Sequence, residues 1–179
     1  MTQTAKYYGG ALYELARDEG LDGKILSQMQ TLAQAFAQSP DYIRLLASPS
    51  IPKKQRCSVL EHDFSKLLHP YLLHFLMLLT ERGYIREYAD CCKEFRSRYN
   101  GDHQILEVTA ITAVPLPPAL AQKLTQKLTA ISGKTIALSN RVDRRILGGV
   151  RLEMDGTQLD GTVRHKLDGI RETLANTVL

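Results

Sequence analysis

Residues 146–161 read ILGGVRLEMDGTQLDG, and four of these sixteen residues are glycine. Glycine-rich loops can hold phosphate groups with their backbone N–H groups. A Walker-type loop, however, ends in Gly-Lys-Ser/Thr, whereas Gly148 and Gly149 are followed here by Val150 and Arg151. The Gly-x-Gly-x-x-Gly pattern of dinucleotide-binding proteins is also missing from the sequence. The stretch is therefore not predicted to bind a nucleotide.

The same residues have the pattern of a β-hairpin. Asp155-Gly156 favours a two-residue turn between two alternating segments, and it places Arg151 opposite Asp160. Gly148-Gly149 would permit a bend or a close backbone approach where the hairpin begins, and Gly161 would end its second strand. A shift of one residue in the strand pairing would place apolar and polar side chains on the same face. Burial of the apolar face therefore fixes the register of the hairpin. The apolar face comprises Val150, Leu152, Met154, Thr157 and Leu159.

The first hundred residues predict helices only. Apolar residues recur at helical spacing in six segments, which glycine, proline and serine separate. Asp22 and Ser50 are the predicted N-caps of the second and fourth helices, and Asn100-Gly101 predicts the end of the sixth. The fifth helix, between His69-Pro70 and Gly83, is apolar nearly all round, so it should be buried or cover a groove.

The pattern changes after Gly101. Residues 105–113 predict a buried strand, a helix follows Pro118, and a second strand precedes the hairpin. Thr162 is a candidate N-cap for a last helix. We therefore predict an α+β fold, with an N-terminal six-helix bundle over residues 1–103. A small C-terminal α/β domain over residues 104–179 would carry the hairpin and a terminal helix.

Charge and cysteine content narrow the classes of function. The chain has 23 Lys+Arg against 19 Asp+Glu, and Asp143 interrupts the densest basic group, Arg141, Arg144 and Arg145. This pattern disfavours nucleic-acid binding, although an RNA-binding or other adaptor module built on the C-terminal domain remains the alternative. The three cysteines, Cys57, Cys91 and Cys92, form no Cys-x-x-Cys pair and are typical of free thiols in a reducing compartment.

Catalytic, cofactor and metal sites are not predicted. The carboxylates are scattered, and the five histidines have no metal-ligand spacing, so no acid, base or nucleophile cluster emerges. An enzyme is therefore the weaker hypothesis. The N-terminus lacks the pattern of a signal peptide. The most apolar segment, YLLHFLMLL at 71–79, is far shorter than the roughly 20 residues that span a bilayer.

The segment RVDRRILGGVRLEMDGTQLDGTVRHKL, residues 141–167, resembles the signature region of the delta subunit of bacterial F-type ATP synthases. The mitochondrial relative of that family is the oligomycin-sensitivity-conferring protein. Three N-terminal segments, YYGGALYELA, ASPSIPKKQR and FLMLLTERGYI, are also similar to the family and follow in its order. The matching signature and hairpin residues are Val142, Asp143, Ile146, Gly148, Gly149, Asp155, Gly156, Asp160 and Gly161.

The chain departs from the family pattern at several positions. Family members often have Gly-Asp in the hairpin turn, where this chain has Asp155-Gly156. Gly83 is followed by Tyr84 rather than by arginine, and the first helix reads Tyr8-Gly9-Gly10-Ala11 where the family often has Tyr-Ala-x-Ala. Two glycines within a helix cost roughly 1 kcal/mol each relative to alanine, unless they allow another helix to approach closely.

The resemblance implies a non-catalytic stator subunit, present in a single copy at the cytoplasmic face of a bacterial inner membrane and attached to the membrane only through the complex. It would resist rotor torque during proton-driven ATP synthesis, with no cofactor and no nucleic acid. The N-terminal bundle would bind the N-terminal segments of the alpha subunits in a groove between its first and fifth helices. Carried over by position, that groove comprises Tyr8, Ala11, Leu15, Phe75, Leu78 and Leu79.

The C-terminal domain would bind the ends of the peripheral-stalk b subunits. The apolar face of the predicted last helix, Leu167, Ile170 and Leu174, is the candidate contact for those subunits. Apolar stripes are more often core than interface, so the sequence leaves both roles open for each of these residues and for those of the groove.

Overall fold

The computed structural model describes residues 2–146, 148–154 and 157–162. Contacts within the chain divide it into two compact units, Met1–Asp102 and His103–Leu179. The described parts combine helices with a small four-stranded sheet in separate segments, which is an α+β fold. The first unit contains α1 (Gln3–Asp18), α2 (Asp22–Gln38), α3 (Pro40–Leu46), α4 (Lys53–Phe64), α5 (Pro70–Arg82), a 3₁₀ turn (Ile85–Glu87) and α6 (Tyr88–Asp102).

Two helix starts differ from the prediction. Leu21 holds the N-cap position of α2, so Asp22 lies in the first turn, where its charge still complements the helix dipole. Pro52 precedes α4 with an extended backbone, two residues after the predicted cap Ser50. The start of α5 is as predicted, because the His69 side chain accepts a hydrogen bond from the Tyr71 N–H and Pro70 occupies the first turn.

The end of α6 is also different. The helix continues through Asn100 and Gly101 to Asp102, and Gly101 does not adopt the left-handed conformation that ends helices. Asp102 accepts a hydrogen bond from the Tyr13 hydroxyl at 2.7 Å and lies 3.6 Å from the Arg17 guanidinium. These contacts from α1 stabilise the last turn against the local stop signal.

Helices α1 and α6 approach each other closely at the glycine pair. A Cβ atom on Gly9 would lie 2.6 Å from the backbone oxygen of Cys91, and one on Gly10 would lie 2.5 Å from the Arg98 guanidinium. Gly9 therefore allows the two helix backbones to approach, which offsets its low helix propensity, while Gly10 leaves room for the Arg98 side chain. Beside this contact, the Tyr13 ring packs edge-on against Phe95, with ring centroids 5.2 Å apart, in the core of the unit.

The second unit is a sheet with one described helix. Strand β1 pairs in parallel with β2 and antiparallel with β3, and the strand order is β2-β1-β3-β4. Leu124 and Leu128 of its helix pack on one face of this sheet. Within the described residues, one buried cluster of the unit consists of Val108, Ala110, Ile136 and Leu152, and Ile111 of β1 is also fully buried. The elements are β1 (Ile105–Thr112), α7 (Pro118–Ser132), β2 (Thr135–Val142), β3 (Gly149–Met154) and β4 (Thr157–Thr162).

The hairpin register is confirmed. Arg151 pairs with Asp160, Leu152 with Leu159, and Met154 with Thr157, as the alternation of side chains predicts. Thr162, the predicted N-cap of a last helix, is the final residue of β4. The turn residues Asp155 and Gly156 and the predicted terminal helix lie outside the described residues.

Candidate functional site

Three of the predicted groove residues on α1 lie along one stripe. Tyr8, Ala11 and Leu15, spaced three and four residues apart, lie along the edge of the buried face of α1, and Tyr8 packs partly against the core. Tyr8 is half-buried, Ala11 is exposed, and Leu15 retains 44 % of its accessible surface. An uncharged stripe of this kind on a well-packed helix is a candidate contact surface for another protein.

The three predicted residues on α5 occupy different environments. Leu78 is 38 % exposed, whereas Phe75 and Leu79 belong to the core of the first unit. Phe75 and Leu79 therefore are core residues and do not line the surface. Helical spacing alone cannot separate these roles, because α5 is apolar on most of its circumference.

Tyr84, which lies just after α5, contacts Tyr8 of α1, and the sequence did not predict it as a residue of this surface. Its ring lies 5.8 Å from that of Tyr8 between centroids, at an angle of 48°. The left-handed Gly83, with φ of 79°, ends α5 and turns the chain toward α1. The contact could have been predicted from Gly83, because a left-handed glycine reverses the chain and lets the next residue contact a neighbouring helix. We call Tyr8, Ala11, Leu15, Leu78 and Tyr84 the α1–α5 surface.

In the second unit, Asp143 organises the turn between β2 and β3. Its N–H donates to the Thr112 carbonyl at 2.9 Å, and its carboxylate accepts from the Arg145 backbone N–H and guanidinium at 3.0 and 2.9 Å. Hydrogen bonds from Arg145 lower the pKa of Asp143 to about 2. The Ile146 N–H donates to the Asp143 carbonyl, and Val142 completes β2 opposite Thr112. These signature residues therefore build a turn.

The glycines of the signature serve the backbone. Gly149 has a φ of 87°, which glycine adopts readily. A Cβ atom on Gly161 would lie 3.0 Å from the Val150 carbonyl oxygen across the hairpin. Together with Gly148, these glycines line one side of an apolar groove of about 470 Å³, whose other walls include Thr112, Ala113, Val114, Pro115, Leu116, Pro117, Leu120, Leu124 and Val150.

Two of the three arginines in the basic group near the signature are paired with acids. Arg141 pairs with Glu153 at 3.2 Å, and Arg145 pairs with Asp143 at 2.9 Å. A polyanion site needs basic side chains that are available to phosphates. The RNA-binding alternative therefore gains no support from this arrangement.

The cysteines are poorly suited to chemistry. Burial raises the pKa of the Cys91 thiol to about 12 and that of Cys92 to about 11, so both stay protonated at neutral pH. Across the described residues, no group of three or more His, Cys, Asp or Glu side chains is placed to hold a metal ion. The helices that the structure describes are all too short or too polar to cross a membrane.

Comparisons with known proteins agree over nearly the whole chain. The sequence profile of the family described as "ATP synthase delta (OSCP) subunit" matches residues 4–174. A Lactobacillus gasseri protein named "ATP synthase subunit delta" is 32 % identical over 173 residues, 96 % of this chain and 94 % of that protein. A Clostridioides difficile protein of the same name is 27 % identical over 175 residues, 97 % of each chain.

The fold has a solved counterpart. A chain in the cryo-EM structure of the Toxoplasma gondii mitochondrial ATP synthase hexamer is similar, with a TM-score of 0.77 and 18 % identity over 98 % of both chains. The profile, the relatives and this likeness agree with the signature residues at 141–167. The chain belongs to the ATP synthase delta (OSCP) subunit family, and it is a non-catalytic, structural subunit of the F-type complex.

Proposed function

We propose that this subunit tethers the catalytic head of the synthase to the peripheral stalk and resists the torque of the rotor during proton-driven synthesis. In this proposal, residues 1–103 act as one six-helix bundle that binds N-terminal helical segments of the alpha subunits. Residues 104–179 bind the C-terminal ends of the b subunits. One copy serves each complex, at the cytoplasmic face of a bacterial inner membrane.

The α1–α5 surface is the observation that supports the first half of the proposal. It presents apolar side chains at helical spacing on a unit whose own core is already filled. An amphipathic helix can lay its apolar face on such a stripe. Complete burial of an aliphatic side chain is worth about 1.5–3 kcal/mol, so the half-exposed Leu15 and Leu78 would each contribute a part of that amount.

The apolar groove of the second unit supports the second half of the proposal, the binding of the b subunits. Val114 is 66 % exposed and Leu120 is 52 % exposed at its walls, and neither is covered by the described chain. A helix end with one or two apolar side chains fits a groove of about 470 Å³. Leu167, Ile170 and Leu174 stay a prediction for the same partner, because they lie outside the described residues.

Isothermal titration tests both contacts on the full chain. The titrants are two synthetic peptides from the same genome, one from the alpha N-terminus and one from the b C-terminus. We expect each peptide to bind in the micromolar range, about −8 kcal/mol, and each to bind equally well when the other is present. Absence of heat with either peptide at about 50 µM folded protein would contradict the corresponding half of the proposal.

Two charge substitutions make the test specific to each unit. Leu15→Asp places a carboxylate on the α1–α5 surface and should abolish binding of the alpha peptide alone. Leu120→Asp does the same in the groove of the second unit and should abolish binding of the b peptide alone. Both positions are exposed, so each variant should fold and serve as the control for the other. Loss of both peptides from one variant would argue against separate sites.

A further inference from the structure

Strand β2 forms one edge of the four-stranded sheet, since the strand order is β2-β1-β3-β4. It is eight residues long and pairs with β1 in continuous register, from Thr135 opposite Ile105 to Val142 opposite Thr112. Proline and β-bulges, which natural proteins use to block an edge, do not interrupt it. Among the described strands only β1 pairs with β2, so the outer edge of β2 is open to another strand.

The backbone groups on this open edge follow from the hydrogen bonds at the two ends of β2. The Thr135 N–H donates to the Gln104 carbonyl at 2.9 Å, and the Asp143 N–H donates to the Thr112 carbonyl at 2.9 Å. Both N–H groups therefore point toward β1. Because the direction of the backbone groups alternates along a strand, every second residue points the other way. The residues whose N–H and C=O groups face away from β1 are Ile136, Leu138, Asn140 and Val142.

A groove of about 500 Å³ borders this open edge, between β2 and helix α7. Its lining side chains are uncharged, and it shares none of them with the groove of about 470 Å³ beside β3 and β4. The side chains of Ile136 and Leu138 point toward α7, where they pack in the cluster that contains Leu124 and Leu128. A strand added to β2 would therefore place every second side chain in the groove. The groove is lined by Ala121, Gln122, Thr125, Gln126, Ile136 and Leu138.

The surroundings of the groove are basic. Residues 114–142, which include α7 and β2, contain Lys123, Lys127, Lys134 and Arg141 and no aspartate or glutamate. Two copies of this surface would bring like charges together, so the charge disfavours a second copy of the chain and favours a strand that carries acids. A nucleic acid would match the charge, but it cannot offer the alternating N–H and C=O groups that an open edge pairs with.

We propose that the outer edge of β2 and the groove beside α7 bind an extended acidic segment of another protein by strand addition. The segment pairs antiparallel with β2, because antiparallel pairing is the more stable per residue. Its apolar side chains, at every second position, lie in the groove, and its acidic side chains lie near the surrounding lysines. Main-chain hydrogen bonds supply affinity in this mode, and the pockets for alternate side chains supply specificity. The site goes beyond the proposed function, since it is separate from both surfaces used there and takes an extended chain in place of a helix.

Hydrogen exchange on the full-length chain tests the strand pairing. The probe is the synthetic peptide acetyl-Glu-Val-Glu-Ile-Glu-Val-Glu-amide, which alternates acids with β-branched residues. In the free protein, the outward amides of Leu138 and Asn140 should exchange rapidly, and the inward amides of Ser139 and Arg141 slowly. Saturating peptide should slow the outward pair at least about tenfold more than the inward pair. Slow exchange of the outward pair in the free protein would overturn the proposal, because the chain itself would then cover the edge.

Two N-methylated peptides separate strand pairing from charge attraction. In an antiparallel strand, the apolar residues that enter the groove are also those whose N–H groups meet β2. Methylation of their nitrogens should weaken binding at least about tenfold by fluorescence anisotropy, whereas methylation of the glutamate nitrogens, which face solvent, should change it less than about threefold. Equal affinity for the two peptides would overturn the proposal. Binding of a single-stranded RNA in place of the peptide, without protection of the outward amides, would also overturn it.

Charge variants of the full-length chain locate the site. Lys134 is exposed directly before β2, so Lys134→Glu should weaken binding of the unmethylated peptide at least about threefold. Lys54→Glu makes the same change in net charge at an exposed lysine of the first unit and should bind as wild type does. Leu120→Asp, in the other groove, should also bind as wild type does. Equal losses in Lys134→Glu and Lys54→Glu would overturn the proposal, because net charge alone would then explain the binding.

Thermal melting confirms that each variant is folded. Should Lys134→Glu not fold, the two N-methylated peptides decide the matter on the wild-type chain. None of these outcomes depends on binding of the alpha or b peptide, so the site can fail while the proposed function stands, and the reverse.

Discussion

The described parts of the two units differ most in how much apolar surface they bury. Within the described residues, the first unit has eighteen buried apolar residues in one cluster, including Tyr13, Phe36, Phe75 and Phe95. The cluster of the second unit has four, while Val114, Leu120, Ile131 and Leu159 stand exposed around it. The first unit can therefore display a rigid surface to a partner, whereas the described part of the second has little packing to spare.

The difference in burial predicts how each unit responds when a partner binds. A unit with a full core binds as a rigid body, so its affinity depends on a few surface side chains. A unit with a thin core gains stability from whatever covers its apolar groove, because a ligand of the native state stabilises by mass action. Substitutions in one core at a time test whether the two units differ in this way.

The largest effect should come from the same truncation made in each core. Leu76 is fully buried among other side chains, whereas Leu152 is 9 % exposed in the smaller cluster. Leu76→Ala should cost near the upper end of the range of about 2–5 kcal/mol, and Leu152→Ala near the lower end, since a partly exposed side chain leaves a smaller closed cavity when it is truncated. Urea unfolding with hydrogen exchange read separately for each unit measures both. Equal losses would remove the contrast between the units.

A smaller effect is expected at the contact between α1 and α6. Gly9→Ala would push a methyl group to 2.6 Å from the Cys91 carbonyl oxygen, so it should destabilise the first unit by about 1–3 kcal/mol. Gly101→Ala is the matched control, because nothing lies within 4 Å of its added Cβ and helix propensity favours alanine. Thermal and urea denaturation should rank the two variants on opposite sides of wild type. A neutral Gly9→Ala would show that the helices can separate at little cost.

The next smaller loss of stability is expected from removal of the hydrogen bond that Tyr13 donates to Asp102. Tyr13→Phe keeps the ring against Phe95 and should cost about 0.5–1.5 kcal/mol. Burial, with Asp102, raises the pKa of Tyr13 to about 12. Wild type should therefore lose stability as pH rises from about 10, where the unfolded tyrosine ionises, to about 12, and the variant should lose less. Denaturation profiles at alkaline pH test this, and identical profiles would rule it out.

The smallest effect concerns the turn at Asp143. Because Arg145 lowers the pKa of this carboxyl to about 2, its stabilising contribution is present above its ordinary pKa of about 3.9. That contribution is lost as pH falls toward 2, so wild type should lose more stability than Asp143→Asn between those two values. Melting temperatures of the second unit across this acidic range provide the measurement. Parallel curves for the two proteins would show that the ion pair is too exposed to matter.

Local patterns were sufficient for much of the second unit. The register of the hairpin followed from strict alternation around Asp155-Gly156, because a one-residue slip would turn apolar side chains outward. The end of α5 likewise followed from Gly83, which adopts the left-handed conformation. In both cases the determinants are neighbours in sequence, so remote contacts could not override them.

Predictions that depended on remote contacts were less secure. The stop signal at Asn100-Gly101 was wrong, because Tyr13 and Arg17 of α1 hold Asp102 in a further helical turn. The two glycines of α1 looked costly in isolation, and the value of Gly9 is visible only against the Cys91 backbone. Tyr84 was overlooked for the same reason, since its importance depends on Tyr8, which is 76 residues earlier in the chain.

The order of the described helices and strands, the pairing of the hairpin and the family relationship could all be predicted from the sequence alone, because periodicity, turn chemistry and signature residues are local properties. Which apolar residues lie in the core and which lie on the surface depends on the tertiary structure. Phe75 and Leu79 are buried while Leu78, between them, is exposed. The physical reason is that burial depends on which helix lies against each side chain, and that neighbour comes from a distant part of the chain.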